Sequence, residues 1–174
     1  KGAALLAEAV QPLLHDLPDL HLAVAGPDGG DGSQDLLVSL QQSFPDRVRC
    51  LGVLSPEKLR PVVRNARAVV LPSLMDNLPN TCLEAMGLGR VVIGPDGVSF
   101  DELLVDGDSG ILFQLGDVAS LQRTIVHTWN MSDEIRTRIG QKAKSFVDTA
   151  MAPHKTSREL ESLYAEVIER HARV

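Results

Sequence analysis

The sequence predicts an α/β domain in which a parallel sheet is covered by helices on both faces. Short apolar runs rich in valine, isoleucine and leucine alternate along the chain with longer segments of helical spacing. These runs are apolar throughout, which is typical of strands buried on both faces of a parallel sheet. Right-handed crossovers are expected between the strands, and such sheets bind ligands outside the carboxyl ends of their strands.

The order of the elements follows from the apolar runs and from the helix signals between them. The predicted strands are 20–26, 47–54, 66–73, 90–95 and 110–113. The predicted helices are the opening segment KGAALLAEAVQPLL, 33–44, a helix from Ser55 and Pro56, a short helix from about 78–80 to Gly87 or Gly89, 117–130, 132–148 and 155–171. Ser55 is the candidate N-cap, and Pro56 suits the first helical position. The segment SFDELL predicts one or two helical turns.

The last predicted helix is amphipathic. Thr156 and Glu159 have the spacing of a capping box at its start. Its apolar stripe consists of Leu160, Leu163, Tyr164, Val167 and Ile168.

Composition excludes several classes of protein. The chain has 174 residues, which fits one domain with a substantial core, and a formal net charge of −6. This acidity argues against a dedicated nucleic-acid binder, and no apolar run reaches the ~18 residues that a membrane span needs. Cys50 and Cys82 form no C-x-x-C pair, so a reduced, cytoplasmic protein is expected. The histidines lack the spacing of metal ligands, and no metal is predicted.

The first loop at the carboxyl ends of the predicted strands is rich in glycine. Its sequence, AGPDGGDG, is neither G-x-G-x-x-G nor a P-loop, because it lacks the lysine. Both a flexible turn and a ligand contact fit this loop. Gly26 is the best candidate for a contact, since it stands where the strand ends and the backbone could approach a ligand.

The stretch PSLMDNLPNTCLEAMGLG, residues 72–89, places two acids around the start of a helix. Pro79 suits the first turn, and the amides of 80–82 would lack intrahelical acceptors. With the helix dipole, these amides form an anion site fit for phosphate. Asp76 and Glu84 can each accept hydrogen bonds from sugar hydroxyls, so a sugar–phosphate ligand is predicted. Alternatively, Asp76 only complements the dipole and Glu84 is a solvated helix residue.

This stretch resembles the signature of the retaining glycosyltransferases of family four, which have the GT-B architecture. The run is Pro72-Ser73, then Asp76, seven intervening residues, and Glu84-Ala85-Met86. The downstream glycines and acid of that family are also matched, by Gly97, Glu102, Gly107 and Gly110. The resemblance extends over nearly the whole chain. It implies a Rossmann-like, three-layer α/β/α domain, the nucleotide-sugar-binding C-terminal half of a GT-B fold.

The resemblance also implies a role for individual residues. Glu84 corresponds to the acid that binds the ribose hydroxyls, and Asp76 to the acid beside the donor sugar, the one position with an implied catalytic role. Lys1 corresponds to the lysine that pairs with the diphosphate, and Gly26 would border the same cleft. The implied diphosphate contacts are Asn77, Leu78, Pro79, Asn80 and Thr81, largely through backbone amides. The implied base pocket is Leu51, Val53 and Leu54.

Four positions depart from the pattern of that family. Asp76 stands where glutamate is usual and is one methylene shorter. Arg90 stands where proline is usual, and Gly87 where alanine is common. Val98 replaces the second glycine of a Gly-Gly pair.

The activity implied by the resemblance is transfer of a sugar from a nucleoside diphosphate donor, such as a UDP-sugar, to an acceptor with retention of the anomeric configuration. No metal or other cofactor is implied. Because the chain opens inside a helix without an initiator Met, we expect 1–174 to be one donor-binding domain lacking its first strand and the N-terminal acceptor domain. Such a piece is expected to be inactive alone, with any membrane contact made through the absent domain. A nucleotide-sugar epimerase domain and a non-catalytic, degenerate nucleotide-binding module are the alternatives.

Overall fold

Helices and strands alternate in the computed structural model, which describes residues 2–77, 79–150, 157, 161–164 and 166–168. The helices are α1 (Ala3–Asp16), α2 (Ser33–Ser43), α3 (Pro56–Asn65), α4 (Asn80–Gly87), α5 (Val118–Asn130) and α6 (Asp133–Ala150). The strands are β1 (Leu22–Ala25), β2 (Val48–Gly52), β3 (Ala68–Val70), β4 (Val91–Asp96) and β5 (Ile111–Gln114). The predicted order is confirmed. The strands are mostly shorter than predicted.

All strand pairs are parallel, as predicted, but the strands do not form one continuous sheet. β1 pairs with β2 in one sheet, and β3, β4 and β5 form a second sheet in that order. The register places Leu22 beside Val48 and Ile93 beside Ile111. The two sheets are separate because no described strand bonds to the second edge of β1 or of β3.

Helices cover both faces of the three-stranded sheet, which gives the predicted three layers. Val91 and Ile93 of β4 are buried with apolar residues of α1 and α5 in one core. The intervening Val92 points to the opposite face, where it joins residues of α4 and α6. This alternation is the ordinary consequence of strand geometry, in which successive side chains lie on opposite faces.

Two glycines let neighbouring elements approach closely. Gly2, with φ of 77°, precedes α1, and a Cβ there would overlap the carbonyl oxygen of Pro72. Gly140 lies inside α6, where a Cβ would overlap the carbonyl oxygen of Gly89. The first contact places the start of α1 at the carboxyl end of β3. The second presses α6 against the loop between α4 and β4.

Several smaller expectations concern local features. Ser55 is at the N-cap position of α3, but its side chain accepts no capping hydrogen bond there. SFDELL contains a single helical turn, in which the amide of Leu104 donates to the Phe100 carbonyl at 2.7 Å. The capping box of Thr156 and Glu159 lies outside the described residues. The described members of the apolar stripe, which are Leu163, Tyr164, Val167 and Ile168, are exposed.

No helix in the described part of the chain is long and apolar enough to cross a bilayer.

Candidate functional site

The carboxyl ends of β1 and β2 are joined by a hydrogen bond between two glycines. The amide of Gly26 donates to the carbonyl of Gly52 at 2.9 Å. Both glycines have positive φ, 149° and 61°, and both are exposed, so their backbones turn away from the strands without the hindrance of a Cβ. Gly26 therefore lies at the strand end where the sequence predicted a ligand contact.

The residues predicted to form a base pocket lie at the end of β2. Val53 is 74% exposed, whereas Leu51 and Leu54 are half-buried. The amide of Cys50 donates to Oε1 of Gln41 at 2.6 Å, so it is already occupied by the protein. The Gly52 carbonyl is likewise occupied, by the amide of Gly26.

The start of α4 carries free amides, though fewer than predicted. Pro79 is the N-cap, has no amide, and contributes no side-chain cap. The amide of Cys82 donates to the Pro79 carbonyl at 2.8 Å, so the expectation that this amide is free is wrong. The cause is a tightened first turn, which is common at helix ends. The amides of Asn80 and Thr81 have no acceptor among the described residues.

The two sides of α4 explain why an acid stands in a helix that must also join the core. Cys82, Ala85 and Met86 are buried against the sheet. Asn80 and Glu84 are exposed and stand one turn apart, so they share the outer face. Helical spacing thus separates the packing residues from a polar face at the amino end of the helix.

Cys82 is a packing residue and not a nucleophile. Its side chain is fully buried, with Sγ 3.6 Å from Sδ of Met86. Burial raises the pKa of this thiol to about 12, so it stays protonated at neutral pH.

Asp76 lies in the loop that connects β3 to α4. It is half-buried, Asn77 after it is exposed, and neither Asp76 nor Glu84 forms an ion pair with any described residue. The preceding Leu74 and Met75 are 50% and 82% exposed, so apolar surface flanks this carboxylate. Lys1 and Leu78, two predicted donor contacts, lie outside the described residues.

The loop after β4 is strained at one of the positions that depart from the family pattern. Val98 has φ of 47° and the following Ser99 has φ of 67°. The left-handed region costs an L-residue about 1–2 kcal/mol, and more when the side chain is β-branched. A glycine at 98 would avoid this cost, which gives a physical reason for a glycine pair in similar sequences.

The sequence did not reveal a second feature, a cleft at the opposite ends of β3 and β4. It has a volume of about 400 Å³, and three arginines, Arg67, Arg90 and Arg136, contribute to its wall. Only Arg90 was noticed in the sequence, as a departure from the expected proline. The three arginines are far apart in the chain, so no local pattern links them. No cluster of His, Cys, Asp and Glu fit to hold a metal occurs among the residues that the structure describes.

Comparison with known proteins identifies the family. The family model described as Glycosyl transferases group 1 matches residues 1–130. D-inositol 3-phosphate glycosyltransferase of Corynebacterium efficiens is 28% identical over 95% of this chain and 40% of its own length. Alpha-D-kanosaminyltransferase of Streptomyces kanamyceticus is 24% identical, over 96% of this chain and 43% of its own. The chain thus spans about 40% of the length of the curated relatives it matches.

Solved structures agree with the fold. Sucrose-phosphate synthase of Thermosynechococcus elongatus superposes with a TM-score of 0.80, 20% identity, and coverage of 98% of this chain and 43% of that chain. Anabaena HepE, solved in complex with UDP and glucose, has a TM-score of 0.70 and 20% identity over 93% of this chain and 44% of its own. The chain belongs to the group 1 glycosyl transferases, and it has the Rossmann-like fold of their C-terminal domain.

Proposed function

We propose that this domain binds the nucleoside diphosphate sugar of a retaining glycosyltransferase. The observation that carries the proposal is the start of α4, where the amides of Asn80 and Thr81 have no acceptor among the described residues and Glu84 is exposed one turn further on. Free amides at a helix start attract a diphosphate, and a carboxylate accepts hydrogen bonds from vicinal hydroxyls. The diphosphate and the vicinal hydroxyls of such a donor therefore each have a matching group near the start of α4.

The remaining contacts follow from the position of the loops. In this proposal Glu84 binds the ribose hydroxyls, and Leu51, Val53 and Leu54 at the end of β2 hold the base, mainly through backbone. Gly26 borders the cleft, where its missing side chain leaves room for the donor. Lys1 pairs with the diphosphate. Its neighbour Gly2 lies against Pro72, close in sequence to the loop that carries Asp76.

The proposed chemistry is departure of the diphosphate while positive charge develops on the sugar ring. The amides at the start of α4 and the ammonium group of Lys1 stabilise the leaving group, so the reaction needs no metal in this proposal. Asp76 orients the sugar and stabilises its developing charge, and it is not assigned as a nucleophile. The acceptor hydroxyl attacks the anomeric carbon from the face that the diphosphate leaves, and its proton passes to the departing diphosphate oxygen, so the anomeric configuration of a transferred hexose is kept.

We further propose that 1–174 is one donor-binding domain of a larger cytoplasmic enzyme and is inactive alone. The unpaired edges of β1 and β3 support this, because a parallel strand between them would join the two sheets. Gly2 supports it too, since a strand leading into α1 would end beside Pro72, at the carboxyl end of β3. The acceptor, and any contact with a membrane, would then be provided by the rest of the polypeptide.

Calorimetric titration with UDP, GDP and ADP tests donor binding. We expect one nucleotide to bind, with a UDP-sugar as the corresponding donor, and Glu84→Ala to weaken its binding about tenfold or more through loss of hydrogen bonds to a charged acceptor. Glu8→Ala, an exposed acid on α1, is the matched control and should bind normally.

A longer protein that includes the preceding strand should be titrated in parallel. Failure of both proteins to bind any of the nucleotides would favour the degenerate module. Nucleotide binding without acceptor-dependent release of nucleoside diphosphate by the full-length enzyme would favour the epimerase.

A further inference from the structure

A cleft lined by arginines lies at the amino ends of β3 and β4, the edge opposite the proposed donor site. Its volume is about 400 Å³, in the range of small-molecule sites. Arg67 precedes β3, Arg90 precedes β4, and Arg136 lies in the first turn of α6. We call this the arginine cleft. Its wall also includes Asp133, Asn65 and Thr137.

Two of the three guanidinium groups are held in place by the protein. Arg136 is only 8% exposed and donates to the carbonyl of Met131 and to the carboxylate of Asp133. The guanidinium of Arg67 lies 4.7 Å from the ring centroid of Trp129, a cation–π contact. Both groups are thus ordered before any ligand arrives, which lowers the entropy cost of binding.

Arg90 is the unsatisfied member of the cluster. Its backbone is fixed, because its amide donates to the Ala85 carbonyl at 3.1 Å. Its Nε is buried, yet this atom has no hydrogen-bond partner among the described residues. A buried donor on a charged group is costly to leave without an acceptor. Because this atom is closed to solvent, an anion in the cleft would offset that cost through its negative charge and not through a direct bond to Nε.

The charges of the cleft point to an anion. Three guanidinium groups against one carboxylate, that of Asp133, leave a local net charge of +2 in a chain whose formal net charge is −6. Burial, and secondly the positive charge of Arg67, lower the pKa of Arg136. Three guanidinium groups therefore lie close together with only one carboxylate in the wall of the cleft to balance their charge. The carboxyl ends of α3 and α4 lie nearby and favour cations, but α6 begins at the same cleft, and its positive end does not favour them.

We propose that the arginine cleft binds the phosphate group of a small phosphorylated molecule. A phosphate monoester carries close to two negative charges, which matches the excess positive charge, and its oxygens suit the fork geometry of guanidinium groups. The cleft is larger than a lone phosphate, and Asn65 and Thr137 offer polar groups to the remainder of the ligand. The site is separate from the donor site, because it lies at the opposite ends of the same strands.

The test uses the ¹⁵N-labelled protein and follows the Nε–Hε signals of its arginines during titration. The probes are inorganic phosphate and ribose 5-phosphate, with chloride at matched ionic strength as the reference anion. We expect a saturable shift of the Arg90 signal with both phosphates and none with chloride. Arg90→Ala, followed through the Arg136 signal, and Arg67→Ala, followed through the Arg90 signal, should each weaken binding about tenfold, as expected for loss of a charge-assisted hydrogen bond. Arg138→Ala, an exposed arginine on the same helix as Arg136, should bind as the unaltered protein does.

The proposal is overturned if neither phosphate gives a saturable shift, or if chloride gives the same shift. It is also overturned if binding persists in Arg67→Ala, whose side chain is exposed and whose loss should leave the fold intact. That variant decides the question if Arg90→Ala proves unstable. Because the signal belongs to Arg90, phosphate bound at the start of α4 would not be mistaken for binding here.

Discussion

The two edges of the β3–β4–β5 sheet differ in the groups that they would offer to an anion. At the carboxyl edge, α4 points its free amides outward, and the nearby side chains Asp76 and Glu84 are acids. At the amino edge, where α3 and α4 end, the arginine cleft gathers guanidinium groups. Helix dipoles account for only part of this difference, because α3 and α4 end at the amino edge with their negative ends whereas α6 begins there with its positive end. In our proposals, backbone amides bind the anion at the carboxyl edge and leave the acids to bind hydroxyls, whereas basic side chains bind the anion at the amino edge.

Gly140→Ala should have the largest effect, because it disturbs the amino edge directly. A Cβ at 140 would overlap the backbone carbonyl of Gly89, which a side-chain rotation cannot relieve. We expect a loss of about 2–4 kcal/mol in the free energy of unfolding, measured with urea. Ser145→Ala, exposed on the same helix, is the control and should change stability by less than about 0.5 kcal/mol. A normal unfolding curve for Gly140→Ala would show that α6 can move away from the α4–β4 loop.

Asp76→Ala should abolish most activity at the carboxyl edge when introduced into a full-length enzyme that contains this domain. Loss of a group that stabilises developing charge typically lowers kcat by about 100-fold. Asp76→Glu restores the carboxylate with one more methylene and should recover part of the rate. Steady-state kinetics with the donor varied separates kcat from KM. Near-normal turnover of Asp76→Ala would contradict the role proposed for this residue.

Asn80→Pro should test the backbone of the carboxyl edge with little change to the fold. Proline at the first helical position removes one amide, and the preceding Pro79, with ψ of 86°, is already outside the α region that a following proline disfavours. We expect nucleotide binding to weaken about tenfold by calorimetry, as one hydrogen bond to a charged phosphate is lost. Asn80→Ala keeps the amide and should bind within a few-fold of the unaltered domain. Equal binding by both variants would mean that the diphosphate does not use this amide.

Acid should loosen the glycine-rich loop before α2, with the smallest effect. The side chain of Ser33 donates to Asp31 at 2.5 Å and its amide donates at 3.0 Å, and these bonds lower the pKa of Asp31. Because the pKa of Asp31 is lower in the folded than in the unfolded state, its ionised carboxylate stabilises the fold above the unfolded pKa. This contribution is lost as the pH falls below about 4. Hydrogen exchange of the Ser33 amide should therefore become faster at low pH relative to Asp31→Asn. The same pH profile in both proteins would refute this assignment.

Much of the carboxyl edge was predictable from the sequence because its determinants are local. The two acids around the start of α4 stand in one contiguous stretch, and the apolar runs predicted every described strand. The resemblance to family four was likewise carried by a contiguous run, and the family match confirms it. The error at the Cys82 amide came from one tightened turn, a detail that composition does not encode.

The amino edge and the division of the sheet were decided by tertiary structure. Arg67, Arg90 and Arg136 form one cleft only because β3, β4 and α6 converge, and Gly140 sets how closely α6 approaches. Likewise, β1 and β3 are each apolar enough to lie inside a sheet. Whether another strand bonds to the second edge of β1 or of β3 depends on strands that are distant in the chain. Sequence by itself determined which segments are helix or strand and which helix face is polar, since these depend on residues within one or two turns. Contacts between remote segments depend on packing, which local periodicity does not specify.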